Sequence, residues 1–114
     1  MGKHLLLDLR CCNRKLMEDK QVITNILNNC VSKINMKKLC EPIMFKGAVH
    51  LAGVTGIIVI ETSHISMHTF SDRNKISFDL YSCKDYDENI IKEYLLKETK
   101  SEIINEVLVK RFDE

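Results

Sequence analysis

Within one stretch of this chain a serine, two histidines, an aspartate and a cysteine fall at spacings that a folded sheet would gather. Ser63-His64-Ile65-Ser66-Met67-His68-Thr69 alternates, with Ile65 and Met67 on one side and His64, Ser66 and His68 on the other. From Ile76 to Cys83 the chain alternates again: Ile76, Phe78 and Leu80 share one face, and Ser77, Asp79, Tyr81 and Cys83 the other. Ser71-Asp72-Arg73-Asn74 between the two runs is a turn signal, so an antiparallel hairpin is predicted. A turn centred near Asp72 and Arg73 sets His68 opposite Ser77 and Ser66 opposite Asp79, and brings Cys83 level with Thr62 and Ser63. The chemical side chains are therefore expected in one neighbourhood.

A hydroxyl, imidazoles and a thiol together suit nucleophilic and acid–base chemistry. On the residues alone three readings stand. The commonest use of a sheet's second face is a solvated polar surface. A cysteine–histidine nucleophile pair is a second reading, with no local protease signature and no orienting Asn or Asp by pattern. A metal site from His64 and His68 is a third, but on a strand those two are about 13 Å apart at the backbone, and no metal is expected.

The elements that position these groups can be read around them. Lys3 to Leu9 is apolar and reads as a first strand. From about Asp19 to Asn35, Ile23, Ile26, Leu27, Cys30, Val31 and Ile34 fall on one helical face. Lys38 to Lys46 is a weaker strand candidate, and Pro42 favours an edge position. Val54 to Ile60 is almost wholly β-branched apart from Gly56 and reads as a central strand. Asp87 caps a second predicted helix running to about Thr99, with Ile90, Ile91, Tyr94 and Leu95 inward. Ile103 to Lys110 fits either a last strand or a helix continuation. The order predicts an α+β fold, a two-layer α/β sandwich with helices on one face of a mainly antiparallel sheet.

Bulk properties narrow the function classes. The 114 residues suit one domain, with 45% hydrophobic and 29% charged residues. A net charge of +1 supplies no electrostatic footprint for nucleic acid or an anionic membrane, so neither is an expected partner. The run Gly56-Ile57-Ile58-Val59-Ile60 is far too short to cross a bilayer. Asp8 and Arg10 interrupt Leu5-Leu6-Leu7, so no signal-peptide layout is expected. The five cysteines include no C-x-x-C pair, which argues against a disulfide scaffold or structural zinc and for reduced thiols in a cytoplasmic setting.

Four blocks carry a family resemblance: Met1-Gly2-Lys3-His4-Leu5-Leu6-Leu7-Asp8-Leu9, Gly53-Val54-Thr55-Gly56-Ile57-Ile58-Val59-Ile60, Ser63-His64-Ile65-Ser66-Met67-His68-Thr69 and Asp79-Leu80-Tyr81-Ser82-Cys83. In order and spacing they resemble the short prokaryotic S-adenosylmethionine decarboxylase proenzymes, from residue 1 to about residue 97. The resemblance implies a precursor that cuts itself between Thr62 and Ser63 into a β chain, 1–62, and an α chain, 63–114, leaving Ser63 as a pyruvoyl group. It implies that the substrate amine condenses with that ketone, which accepts electrons as carbon dioxide leaves. By the same resemblance His68 assists processing as acid or base, Cys83 is the proton donor in decarboxylation, and Thr55 and Thr62 support processing. Val49, Ile65, Phe70 and Asp72 are matched to S-adenosylmethionine recognition, and a homodimer is implied because the family's site draws residues from both protomers.

Several matched positions depart from the family. Thr62 stands where a glutamate is usual, with Glu61 one step earlier. Val49 and Phe70 replace the phenylalanine and tryptophan that sandwich the adenine, and Asp72 replaces a ribose-binding glutamate. Loss of one aromatic partner costs on the order of 1 kcal/mol beyond area burial. The altered clamp keeps two further expectations in play: a homologue that decarboxylates arginine or ornithine, and a non-catalytic, unprocessed homologue acting as a regulatory or structural subunit.

Overall fold

The computed structural model describes residues 1–47 and 52–112. The chain runs β1 (Lys3–Arg10), α1 (Arg14–Met17), α2 (Lys20–Lys33), β2 (Ile43–Lys46), β3 (Val54–Ile60), β4 (Ser63–Phe70), β5 (Lys75–Ser82), α3 (Glu88–Thr99) and β6 (Glu102–Lys110). The six strands form one antiparallel sheet in the order β2-β3-β4-β5-β1-β6. This is the expected two-layer α+β sandwich.

The helices start and stop where local chemistry dictates. Asp19 accepts hydrogen bonds from the Gln21 and Val22 amides, and Asp87 accepts one from Asn89, which satisfies donors that the first turn cannot pair internally. Helix α3 ends at Lys100 in the left-handed region (φ 49°), which turns the chain back into β6. This stop settles the ambiguous tail: Val107-Leu108-Val109 lies in a strand beside β1 rather than continuing the helix. Helix α1 has four residues, too few to leave a periodic signal in sequence. The strand candidate at Lys38 to Lys46 shrinks to Ile43–Lys46 on the sheet edge, past Pro42, while Lys38 makes an isolated bridge to Ile60.

One sheet face carries the helices. Ile23, Ile26, Leu27, Cys30 and Val31 of α2, with Ile91 and Leu95 of α3, join Leu5, Leu7, Leu9, Ile58, Ile60, Ile65, Met67, Phe78 and Leu80 in one buried cluster. Each such aliphatic side chain contributes about 1.5–3 kcal/mol on burial. Cys30 belongs to this core, and burial pushes its thiol up to about 12, so it packs as a small hydrophobe. The other face presents His4, Thr55, Ile57, Val59, His64, Ser66, His68, Asp79 and Tyr81. Ile57 and Val59 remain 36% and 41% exposed there, which explains why β3 reads as apolar on both sides.

A buried hydroxyl ties the sheet to α1. Thr69 Oγ1 accepts from the Val54 amide at 2.8 Å and donates to the Met17 carbonyl. Gly53 (φ +123°) packs its bare Cα side against the Thr69 carbonyl, where a Cβ would collide at 1.8 Å. Thr69→Val keeps the shape but orphans two backbone groups, so we expect a stability loss of about 2–4 kcal/mol. Urea unfolding followed by far-UV circular dichroism measures it.

Candidate active site

The hairpin register agrees with the sequence reading: Ser66 faces Asp79, and His68 faces Ser77. The alternation along β4 separates the expected cluster, however. Ser63, Ile65, Met67 and Thr69 point to the helix side, whereas His64, Ser66 and His68 point to the open side. Ser63 is five residues from His68, about 17 Å along the strand. The single neighbourhood expected from sequence is therefore two sites at opposite ends of β4.

The first site lies where the tight β3–β4 connection, Glu61 and Thr62, meets the end of β5. Ile60 pairs with Ser63 across this turn. Thr62 is exposed and adopts φ 52°. A β-branched residue is a genuine outlier in this left-handed region, at a cost on the order of 1–2 kcal/mol. Its hydroxyl donates to the Glu61 carbonyl at 2.6 Å, and Lys84 binds the Glu61 carboxylate at 3.1 Å. Directly after this strained residue, Ser63 is 7% exposed, and its Oγ is buried with no hydrogen-bond partner among the described residues. Backbone and side-chain polar groups in protein interiors are almost always paired, so the lone hydroxyl is exceptional.

Cys83 lies just beyond β5 at the same end. Its Sγ is 3.2 Å from the Tyr81 hydroxyl. Gly2 packs against this bend, since a Cβ on it would meet the Ser82 carbonyl at 2.8 Å and the Cys83 Cα at 3.1 Å. The Arg111 guanidinium sits 4.9 Å over the Tyr81 ring. His64 and His4 approach the same ring at 5.7 and 6.2 Å between centroids, and His4 Nε2 lies 3.2 Å from Asp79. His4 and Tyr81 were not singled out as site residues from sequence, although alternation had already put Tyr81 on the face of Cys83. Arg111 left no signal in sequence, because the β1–β6 pairing that brings it here is long-range.

The second site lies at the far end of β4. His68 Nδ1 and Thr55 Oγ1 share a hydrogen bond at 2.9 Å across the β3–β4 pair. They line a cavity of about 190 Å³ with Gly53, Phe70, Asp72 and Arg73. Phe70 is 39% exposed and so offers an aromatic face to a ligand. Ile65 departs from its expectation: it is fully buried in the core, and its side chain cannot touch a ligand on the open face. Val49 lies outside the described residues.

A two-layer sandwich that carries a buried hydroxyl, a cysteine and a histidine–threonine pair along one hairpin has the groups that a carboxy-lyase of the decarboxylase class uses. The chain belongs to the S-adenosylmethionine decarboxylase family, whose model matches residues 3–112. An S-adenosylmethionine decarboxylase proenzyme of Bacillus velezensis is 30% identical over 95 residues, 83% of this chain and 73% of that protein. A proenzyme of the same name from Methanococcus vannielii is 29% identical over 109 residues, 92% of this chain and 87% of that one. In three dimensions the crystal structure of the adenosylmethionine decarboxylase from Aquifex aeolicus superposes with a TM-score of 0.81 at 21% identity, covering 100% of this chain and 97% of that one, and so shares the fold.

The strain at Thr62 can be measured apart from any chemistry. In a Ser63→Ala background, Thr62→Asn should raise stability by about 1 kcal/mol, because asparagine tolerates the left-handed region. Thermal or urea unfolding of the two intact chains checks this, and equal stability would mean that the turn stores no strain.

Proposed function

We propose that this chain is a precursor that opens its own backbone between Thr62 and Ser63 and then, as a twofold dimer, decarboxylates S-adenosylmethionine. The observation that carries the reading is the buried Ser63 Oγ, without a partner among the described residues, directly after left-handed Thr62. A hydroxyl without a partner is free to attack, and a strained peptide gains from being opened.

The chemistry needs no oxidant. Ser63 Oγ bonds to the Thr62 carbonyl carbon, the C–N bond breaks, and the proton passes to the freed nitrogen. Removal of the residue-63 Cα proton then breaks Cβ–Oγ and releases 1–62 with a carboxylate. Water replaces the nitrogen as ammonia, leaving a pyruvoyl cap on 63–114. Ser63 fits this group, since the step requires an oxygen on Cβ next to the backbone. Bound to the substrate amine, the pyruvoyl carbonyl supplies the electron-withdrawing group that accepts the pair released with carbon dioxide.

The chain's own residues do the rest. His68 moves protons during the cut, and Thr55 on Nδ1 fixes the ring and leaves Nε2 for the proton. Cys83 returns a proton to the substrate carbon. Phe70 stacks on the adenine, and Asp72 accepts from the ribose hydroxyls. The product is the aminopropyl donor for spermidine synthesis, made in the cytoplasm.

A second copy of the chain completes this site. His68 cannot reach Ser63 of its own protomer across about 17 Å of strand. A twofold axis between two open faces, running across the strands, sets the Ser63 end of one β4 over the His68 end of its partner's. Ile43, Phe45, Ile57 and Val59 provide exposed apolar area on that face. Val59→Lys should therefore give a monomer in sedimentation analysis, with processing slowed at least tenfold. A dimer of unchanged rate would exclude this face.

The cut itself is read by intact mass. The native chain should appear as 1–62 and a 63–114 chain without a free amine, and Ser63→Ala as one uncut chain without turnover. Cys83→Ala should cut but lose most release of carbon dioxide from labelled S-adenosylmethionine. Full turnover from arginine or ornithine instead would reassign the substrate, and a permanently uncut native chain would leave a non-catalytic subunit.

A further inference from the structure

We propose that Tyr81 is a positioning residue for Cys83: its hydroxyl donates to Sγ, aims the sulfur along the open face, and steadies the charge left on sulfur when its proton departs. The inference rests on the reading of Cys83 as the proton donor.

Tyr81 and Cys83 are two apart and share the open face, so side chain and thiol meet without rearrangement, at 3.2 Å. The backbone at Cys83 is fixed independently. Gly2, just ahead of β1, closes against it, and Ser82 Oγ accepts from the Lys84 amide while donating to Met36 Sδ. With the main chain held, the direction of the Cys83 side chain is set by the tyrosine.

The ring is itself braced. Arg111, beyond β6, lies on it at 4.9 Å, and the main chain of Arg111 is held by the Gly2 carbonyl and the Met1 ammonium. His64 of β4 and His4 of β1 flank the ring, with His4 tied to Asp79. Lys84, next to Cys83 in the chain, pairs with Glu61. The hydrogen bond with Cys83, followed by desolvation, holds the Tyr81 hydroxyl above its ordinary range, while Arg111 pulls it back. Tyr81 thus remains a protonated donor at neutral pH. When Sγ–H gives its proton to the substrate carbon, the S–H electron pair stays on sulfur and the Tyr81 O–H bond becomes charge-assisted. Water then restores the thiol.

Tyr81→Phe removes the donor and keeps the ring. In the uncut Ser63→Ala chain, iodoacetamide labelling of each cysteine is followed against pH by peptide mass mapping. Cys83 should label about tenfold more slowly near neutrality, as expected for loss of a hydrogen bond to a charged group. Exposed Cys12 should keep its profile, and buried Cys30 should stay protected, which reports an intact fold. In the processed enzyme, Tyr81→Phe should lower kcat about tenfold with KM and the extent of cutting unchanged. An unmoved Cys83 profile, or a moved profile with unchanged kcat, overturns the role of Tyr81. Full activity of Cys83→Ala would instead overturn the proton-donor reading on which it rests.

Discussion

A β-strand can present consecutive residues only to opposite sides, and β4 shows what this costs and permits. Ser63 shares its parity with Ile65, Met67 and Thr69, which belong to the core, while His64, Ser66 and His68 take the other. The same rule that buries the hydrophobic half of the strand under α2 thus draws the serine hydroxyl inward at its first residue. There the strand has just left a tight turn, and among the described residues the core offers the hydroxyl no acceptor. Without helices on one face, Ser63 would be an ordinary solvated serine. Without an open opposite face, the imidazoles and the thiol would have no approach to a substrate.

The two ends of the hairpin are built by different means. At the far end, Thr69 and Gly53 lock β3, β4 and α1 together, so Thr55 and His68 stand on a rigid base. At the near end the rigidity is borrowed from β1 and β6. Gly2, His4 and Arg111 arrive from the chain termini and close around Tyr81 and Cys83. The Lys3 ammonium adds a latch to Asp85 and Glu88 at the start of α3; burial opposes its charge, but the two carboxylates hold it above its ordinary range. Packing supplies the stability, and these polar ties fix the geometry.

Much of this was legible in the sequence because it is local. Alternation from Ile76 to Cys83 and the Ser71–Asn74 turn sufficed to assign Ser66 to Asp79 and His68 to Ser77; apolar periodicity marked the first long helix, and the capping chemistry of Asp87 the second. What escaped depends on distance in the chain. The expected gathering of Ser63 with His68 fails because five residues of extended strand and opposite parity separate them, although Ile65 and Met67 already fix the side on which Ser63 falls. Family position matches Ile65 to the substrate, whereas its alternation with Met67 places its side chain in the core. Thr62 could not be recognised as strained, since φ at a turn follows from the hairpin length and pairing. Arg111 required the β1–β6 ladder to be known.

The strand order has a consequence for a polypeptide severed after residue 62. The upstream piece would own β1, β2 and β3, and the downstream piece β4, β5 and β6, so the sheet β2-β3-β4-β5-β1-β6 would read upstream, upstream, downstream, downstream, upstream, downstream. The pieces would be interleaved, with β1 clasped between β5 and β6 while β3 lies along β4. Parting them would mean unzipping three ladders and emptying the shared interior at once. Scission at that bond would change the covalent connectivity and leave the architecture standing, as two strands of different origin knitted into one fabric.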